Sequence, residues 1–293
     1  MTVNECPDTD EFDRLAHLVQ QVTGWRDSPA FRGKLKMILG GDDEDTASTW
    51  LRRLGRRHVG CGEWQMVIER LMVPETFFFR DGPQLDVLRY RVLPEIIERK
   101  RRSNRTIRLW SAGCSSGEEP YTLAMLTLDA LMAAGEATEL PGVGIVLNAG
   151  WVVHVQGTDL NPKIVEKARV GLYSDFGLSP FRETPPEFRR FFVKHDSSET
   201  ISRFGLRRDV RSVTSFGIHN LKEAATGSDF DLVSCRNVLI YFDDDSKAAA
   251  LEHLTQAVGG SGFLMLGPTD PFDRLYGFQL IEPKTSPILA KSF

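Results

Sequence analysis

The second half of the chain alternates strand-like and helix-like runs, and few folds satisfy that alternation. Four runs rich in β-branched and apolar residues read as strands: TIRLWSA (106–112), WVVHVQGTD (151–159), DFDLVSCRN (229–237) and GFLMLG (262–267). Between them lie helical patterns: EEPYTLAMLTLDALMAA (118–134), NPKIVEKARV (161–170) and DDDSKAAALEHLTQAV (243–258). Parallel strands need a crossover, usually a helix, so repeated strand–helix units imply a mostly parallel sheet.

The first 75 residues have a different texture. FDRLAHLVQQVTGW places Phe12, Leu15, Leu18 and Val19 at helical spacing, and TASTWLRRLGRRH and EWQMVIERLM read as two more short helices. Thr46 or Ser48 is expected to cap the first of that pair. Residues 188–219 carry short β-like runs, FRRFFVKH, ISRFGLRRDV and SVTSFGI, separated by turns. The expected organisation is α/β: a helical domain over 1–75, and a sheet domain over 76–293 with a small antiparallel ribbon inserted at about 188–219. ELPGVGIVLNAG (139–150) reads as a Gly-rich, irregular insertion.

Bulk properties narrow the class. A net charge of −4 argues against general nucleic-acid binding. No apolar run reaches the 18 or so residues of a membrane span, and the acidic opening MTVNECPDTDEFDRL does not read as a signal peptide. Cys6, Cys61, Cys114 and Cys235 show no metal-ligand spacing. They are expected to be free thiols in a reducing cytoplasm, with no metal centre.

In open α/β sheets ligands sit beyond the carboxyl ends of the strands. Three polar clusters fall at such ends: the loop Ser111–Gly117, Thr158-Asp159, and Arg236-Asn237. A carboxylate at the end of the second strand commonly accepts ribose hydroxyls, which suggests that Asp159 binds a nucleoside. The loop SAGCSSGEEPY lacks the G-x-G-x-x-G of dinucleotide sites and is followed at once by Glu118 and Glu119. Acids there disfavour phosphate and favour a ligand with cationic groups. S-adenosylmethionine carries an amino group and a sulfonium and no phosphate. Only one of the two acids is expected to meet ligand, the other serving the helix N-terminus.

Four stretches, PETFFFRD (74–81), LWSAGCSSGEEPYTLAM (109–125), GTDLNPKIVEKARVGLY (157–173) and FDLVSCRNVLIYFD (230–243), together resemble the chemoreceptor glutamate methyltransferases, the CheR family. The resemblance covers most of the chain. It implies a Rossmann-like class I methyltransferase sheet with S-adenosylmethionine as cofactor and S-adenosylhomocysteine as product. The implied partners are the cytoplasmic helices of membrane chemoreceptors. It further implies that Thr76 and Arg80 reach the cofactor pocket, with Ala112 and Gly113 of the loop beside it. Glu119 would bind the methionine moiety and Asp159 the ribose. Asn220-Leu221 would lie by the adenine, Arg236 and Asn237 would complete the pocket, and Tyr241 would sit near the methyl group. Three features depart from the family pattern: Pro74 where Asn is usual, GPTD at 267–270, and the 139–150 insertion.

The chemistry needs few groups. A glutamate carboxylate is ionised at pH 7 and needs no general base to attack a sulfonium methyl. In-line placement is the main requirement, so Arg80 and Tyr241 are assigned to positioning. Arg52, Arg53, Arg56 and Arg57 form one basic helix face suited to an acidic receptor helix. The alternatives are a small-molecule methyltransferase on the same scaffold, a non-catalytic cofactor sensor and, more distantly, a nicotinamide-dependent oxidoreductase.

Overall fold

The computed structural model describes residues 10–40, 44–56, 62–72, 75–198, 201–225, 227–270, 275–281 and 286–292. The chain separates into two compact units, one comprising residues 1–73 and 241–249 and the other residues 74–240 and 250–293.

The first unit is helical. Helices α1 (Glu11–Thr23), α2 (Pro29–Leu39), α3 (Glu44–Gly55) and α4 (Gly62–Leu71) surround a core that includes Phe12, Leu15, Val19, Phe31, Leu35, Trp64 and Val67. Local signals set the helix ends. Asp10 accepts from the Phe12 amide and Gly24 closes α1 in the left-handed region. Ser28 accepts from Phe31, Pro29 opens α2, and Gly40 closes it. Leu18 is only partly buried against this core. Thr46 and Ser48 lie inside α3 rather than capping it, because the helix begins at Glu44. The segment from Tyr241 groups with these helices: Trp25 bridges Phe242, and the Arg26 amide donates to the Tyr241 carbonyl at 2.8 Å.

In the second unit, α5 (Gly82–Val87) runs through one π-turn, Leu88–Val92, into α6 (Leu93–Arg101). Strand β1 (Thr106–Ala112) then leads into α7 (Glu118–Ala133). Strands β2 (Ala137–Leu140) and β3 (Gly144–Leu147) form a separate antiparallel hairpin, so the Gly-rich insertion is ordered rather than irregular. Next come β4 (Val152–Asp159), α8 (Pro162–Val170) and β5 (Leu172–Ser174). Strands β6 (Phe192–Ser198) and β7 (Ile201–Leu206) join β5 in a three-stranded antiparallel sheet with β7 in the middle. A short helix α9 (Arg208–Ser212) precedes β8 (Thr214–Ile218), and β9 (Phe230–Cys235) follows. The chain ends with α10 (Asp244–Ala257), β10 (Val258–Leu266), β11 (Phe278–Leu280) and β12 (Ile288–Lys291).

The central sheet has the order β11-β12-β10-β9-β1-β4-β8, with β8, β4, β1, β9 and β10 parallel and the last two strands antiparallel. Every residue of β9 is buried, as expected of a parallel strand covered on both faces. The ribbon expected over 188–219 therefore divides. Residues 192–206 do pair antiparallel, but SVTSFGI contributes β8, parallel to β4 from Val155↔Thr214 to Asp159↔Ile218. Its alternating pattern did not reveal which sheet it would join.

Candidate functional site

Because the five parallel strands share one direction, their carboxyl ends meet at one edge of the sheet. β1 ends at Ala112, which is buried, and Gly113 and Gly117 both have positive φ, +79° and +94°. Neither position tolerates a side chain. A Cβ on Gly113 would lie 2.5 Å from Val238 Cγ2, and one on Gly117 would lie 2.8 Å from Ala168 Cβ. The Gly113 and Cys114 amides both donate to the Thr158 carbonyl at 2.8 Å, which ties the loop to the end of β4.

Asp159 closes β4 and is buried. Its Oδ2 accepts from the Ser115 amide at 2.8 Å and its Oδ1 from the Asn161 amide at 3.0 Å. Among the described residues no cation pairs with it. Burial pushes its pKa up, and the amide hydrogen bonds oppose that shift. A carboxylate has about four acceptor positions, so beyond these amides and that of Leu160 it keeps capacity for a hydroxyl donor.

The two acids after the loop diverge. Glu118 turns inward, is buried, and accepts the Ser116 hydroxyl at 2.8 and 3.0 Å; burial raises its pKa. Glu119 stays partly exposed. It accepts from Ser111 Oγ at 2.8 Å and from Arg236 at 3.1 Å. The loop is therefore less negative than its sequence suggests, since Arg236 balances Glu119.

Arg236 organises the neighbouring turn. Its side chain is almost fully buried, and it also donates to the Arg80 carbonyl at 2.6 Å and lies 3.7 Å from Asp81. Asn237 has a φ of +59°, and its amide donates to Asp270 Oδ2 at 3.2 Å; the Gly267 amide donates to the same oxygen at 2.8 Å. The GPTD departure thus supplies a carboxylate that joins the turns after β9 and β10. Arg236 Nε and Ser115 Oγ are buried without a hydrogen-bond partner among the described residues, which fits a polar ligand at this edge.

Thr76 and Arg80 belong to a segment whose three phenylalanines, Phe77, Phe78 and Phe79, are buried. Arg80 is flanked by two residues in the left-handed region, Phe79 at +61° and Asp81 at +66°. The Phe79 amide donates to Thr122 Oγ1 at 3.2 Å and the Phe78 amide to the Pro180 carbonyl at 2.9 Å. Arg80 donates to the Glu75 carbonyl at 2.6 Å. Pro74 lies outside the described residues. Asn220 follows β8 and its side chain accepts from the Lys222 amide at 3.1 Å; Leu221 is buried, with its carbonyl 3.2 Å from His253 Nδ1.

Thr76, Arg80, Ala112, Gly113, Glu119, Asp159, Asn220, Leu221, Arg236 and Asn237 all belong to the second unit, most of them at the ends of β1, β4, β8 and β9. Tyr241 groups with the helical unit, where its ring stacks on Trp25 at 5.6 Å. Arg52 and Arg53 lie on α3 and Arg56 just follows it; with Thr49 they line a cavity of about 340 Å³. Arg57 is outside the described residues. No role was legible in the sequence for Asp81, nor for Ser111 and Asp270, although these two fall within the loop 111–117 and the GPTD stretch. A second cavity, about 610 Å³, lies between the β2–β3 turn and residues of β6, β7 and α9, and shares no residue with the strand-end cluster. Cys114 and Cys235 are buried free thiols whose pKa values burial raises well above the ordinary range, so neither is a reactive thiolate. Among the described residues no helix is long and apolar enough to cross a membrane.

Residues 74–282 match the family described as CheR methyltransferase, SAM binding domain. A chemotaxis protein methyltransferase of Vibrio anguillarum is 32% identical over 204 residues, covering 69% of this chain and 66% of that protein. Chemotaxis protein methyltransferase 1 of Pseudomonas aeruginosa is 34% identical over 216 residues, 72% of this chain and 71% of that protein. The Escherichia coli chemotaxis protein methyltransferase is 31% identical over 217 residues, 73% of this chain and 66% of that protein. The chain thus spans about two thirds of the length of these relatives, and it belongs to the CheR family of S-adenosylmethionine-binding methyltransferases.

Proposed function

We propose that the protein methylates glutamate side chains on the cytoplasmic helices of membrane chemoreceptors, giving methyl esters. The observation that carries this reading is the CheR match over residues 74–282, together with the chemotaxis methyltransferases among its relatives. S-adenosylmethionine, when bound, supplies an electrophilic methyl group on a sulfonium. Asp159 holds the ribose through its remaining acceptor capacity, and Glu119 attracts the amino group while Arg236 keeps it oriented. Ala112 and Gly113 let the ligand approach the loop backbone, Asn220 and Leu221 border the adenine, and Thr76 and Asn237 close the pocket. Arg80 holds the acceptor carboxylate, and Tyr241 flanks the line of transfer.

The acceptor oxygen is already ionised at neutral pH, so no residue needs to remove a proton. Arg80 and Tyr241 act by placement, which restricts the reacting atoms to a near-attack geometry. The helical unit, with Arg52, Arg53, Arg56 and Arg57, meets the acidic receptor helix. The enzyme acts in the cytoplasm, where those helices lie. Methylation removes one negative charge from the receptor and can shift a helix-packing equilibrium.

The test is incubation with methyl-labelled S-adenosylmethionine and a chemoreceptor cytoplasmic fragment. Base-labile label on the fragment is expected. Label that appears only on small carboxylates, amines or alcohols would overturn the assignment in favour of a small-molecule acceptor.

A further inference from the structure

Two guanidiniums share the Phe77 ring. The Arg182 guanidinium carbon lies 3.5 Å from the ring centroid and that of Arg80 lies 5.7 Å from it. Neither forms an ion pair with a carboxylate among the described residues. Among the described residues their guanidiniums hydrogen-bond only to backbone carbonyls, Arg80 to Glu75 at 2.6 Å and Arg182 to Ser179 at 3.2 Å.

The molecule contains its own control. Phe191 also carries two guanidiniums, Arg190 at 5.0 Å and Arg207 at 5.5 Å. That pair is neutralised: Arg190 meets Asp129 at 3.0 Å, and Arg207 meets Glu139 at 2.6 Å and Asp209 at 2.5 Å. Two like charges on one ring repel, and at Phe191 the fold supplies the countercharge. At Phe77 no described residue does.

The Phe77 group is also built to hold its shape. Phe181, next to Arg182, is buried and stacks on Phe78 at 5.4 Å with an interplanar angle of 9°. The Phe78 amide donates to the Pro180 carbonyl at 2.9 Å, and the Arg182 amide donates to the Ser179 carbonyl at 3.3 Å. The backbone under Arg182 is therefore fixed while its guanidinium is exposed and oriented by the ring. Stacking on an aromatic face leaves the fork of N–H donors free to point outward. Arg80 connects the group to the strand-end site, because its carbonyl accepts from Arg236 at 2.6 Å.

We propose that Arg182 binds a second acidic side chain of the acceptor segment, close in sequence to the glutamate that Arg80 holds for methylation. This rests on the acidic-acceptor reading above. The ligand class is a peptide or helix with at least two nearby carboxylates, and the incoming acid supplies the countercharge that no described residue gives at Phe77. Sharing the task keeps either arginine from clamping the reacting carboxylate with both cations, which would lower its nucleophilicity.

The test uses the full chain and two receptor fragments. One is native, and in the other the acids flanking the methylated glutamate are changed to Gln. Arg182→Gln is expected to raise the KM for the native fragment about tenfold, the effect of one lost charge-assisted hydrogen bond of about 1.4 kcal/mol. The kcat at saturating acceptor and the affinity for S-adenosylhomocysteine should be unchanged. Wild type on the Gln fragment should show the same rise in KM, and Arg182→Gln on that fragment no further rise. Arg182→Lys should recover part of the loss, which a purely structural role would not produce. An unchanged KM for Arg182→Gln on the native fragment, with wild type active, would overturn the role of Arg182 and leave the glutamate acceptor standing. No methylation of any glutamate by wild type would overturn both.

Discussion

Phe77 and Phe191 carry the same motif, an aromatic ring with two arginines, and differ in whether the charge is balanced. Around Phe191, Asp129, Glu139 and Asp209 close every charge, and the group joins the β2–β3 hairpin, α7 and α9. Around Phe77 no described carboxylate answers the two cations. On the proposal above, the contrast separates arginines that hold the fold from arginines that receive a ligand. Asp159 is the anionic counterpart of the second class. It is a buried carboxylate held by amides, and no described cation pairs with it. Asp159 and Arg182 are alike under the proposals above: at each, a substrate or cofactor group completes the charge.

The largest effect should come from Asp159. Asp159→Ala is expected to weaken S-adenosylhomocysteine binding by about 2–4 kcal/mol, read by calorimetry, since it removes charge-assisted hydrogen bonds and loosens Ser115. The pH dependence sharpens the point. The ionised form is the acceptor of hydroxyl protons, so affinity is present above the folded pKa and lost as pH falls through it. Burial raises that pKa, so the loss should begin at a higher pH than an ordinary aspartate would show. In the unliganded protein the sign reverses: the raised pKa means that protonation of Asp159 favours folding as pH falls. Asp159→Asn should flatten both profiles. An affinity for S-adenosylhomocysteine that does not fall with pH in wild type would remove Asp159 from the ribose.

Arg207 should behave in the opposite manner. Arg207→Met strands Asp209, whose side chain is only 6% exposed and whose remaining partners are the Ile145 and Val210 amides. Loss of one member of such a pair should cost about 2–3 kcal/mol of stability in denaturant unfolding, with affinity for S-adenosylhomocysteine unchanged. Arg182→Gln should shift unfolding by less than about 0.5 kcal/mol, as ordinary surface substitutions do. Equal destabilisation by the two would dissolve the distinction between the Phe77 and Phe191 groups.

The sequence made the architecture and the strand-end positions of the candidate site legible, and the reasons are physical. Strand runs of 106–112 and 230–235 are apolar because both faces of a parallel strand are covered, and the polar residues that end them fall at the ligand edge. Asp159 and Arg236 could be named because strand ends are readable, whereas Glu119 was singled out from Glu118 only by the family resemblance. What stayed hidden depends on three-dimensional partners. Nothing local distinguishes Glu118, turned inward to Ser116, from Glu119, turned to Arg236. The alternating run at 214–218 suits an antiparallel ribbon as well as an edge strand of the main sheet, and only its pairing with β4 decides. The left-handed conformations of Phe79 and Asp81, which set the direction of Arg80, are imposed by contacts such as Thr122 and have no signature in TFFFRD. Arg182 lies far in sequence from Phe77, so their stacking could not be anticipated.

The smallest effect concerns α3. Arg53 lies over the Trp50 ring at 5.4 Å, Arg52 donates to Thr49 Oγ1 at 3.3 Å, and neither has an ion-pair partner among the described residues. They meet the same criterion as Arg182 on a more exposed surface, where water and salt screen the charge over a Debye length of about 8 Å. Exposed charge pairs contribute roughly 0.2–1 kcal/mol, so Arg53→Glu should raise the KM for a receptor fragment only about two- to fivefold. The affinity for S-adenosylhomocysteine should not move. Wild-type kcat/KM should fall as salt rises from 50 to 300 mM, and the variant's should fall less, because long-range attraction acts on the rate of encounter. A salt dependence identical in the two proteins would show that an uncompensated cation on this helix face is merely solvated. The reading drawn from Phe77 would then hold only where the fold also fixes the backbone beneath the charge, as it does under Arg182 and not for a side chain projecting from one exposed helix.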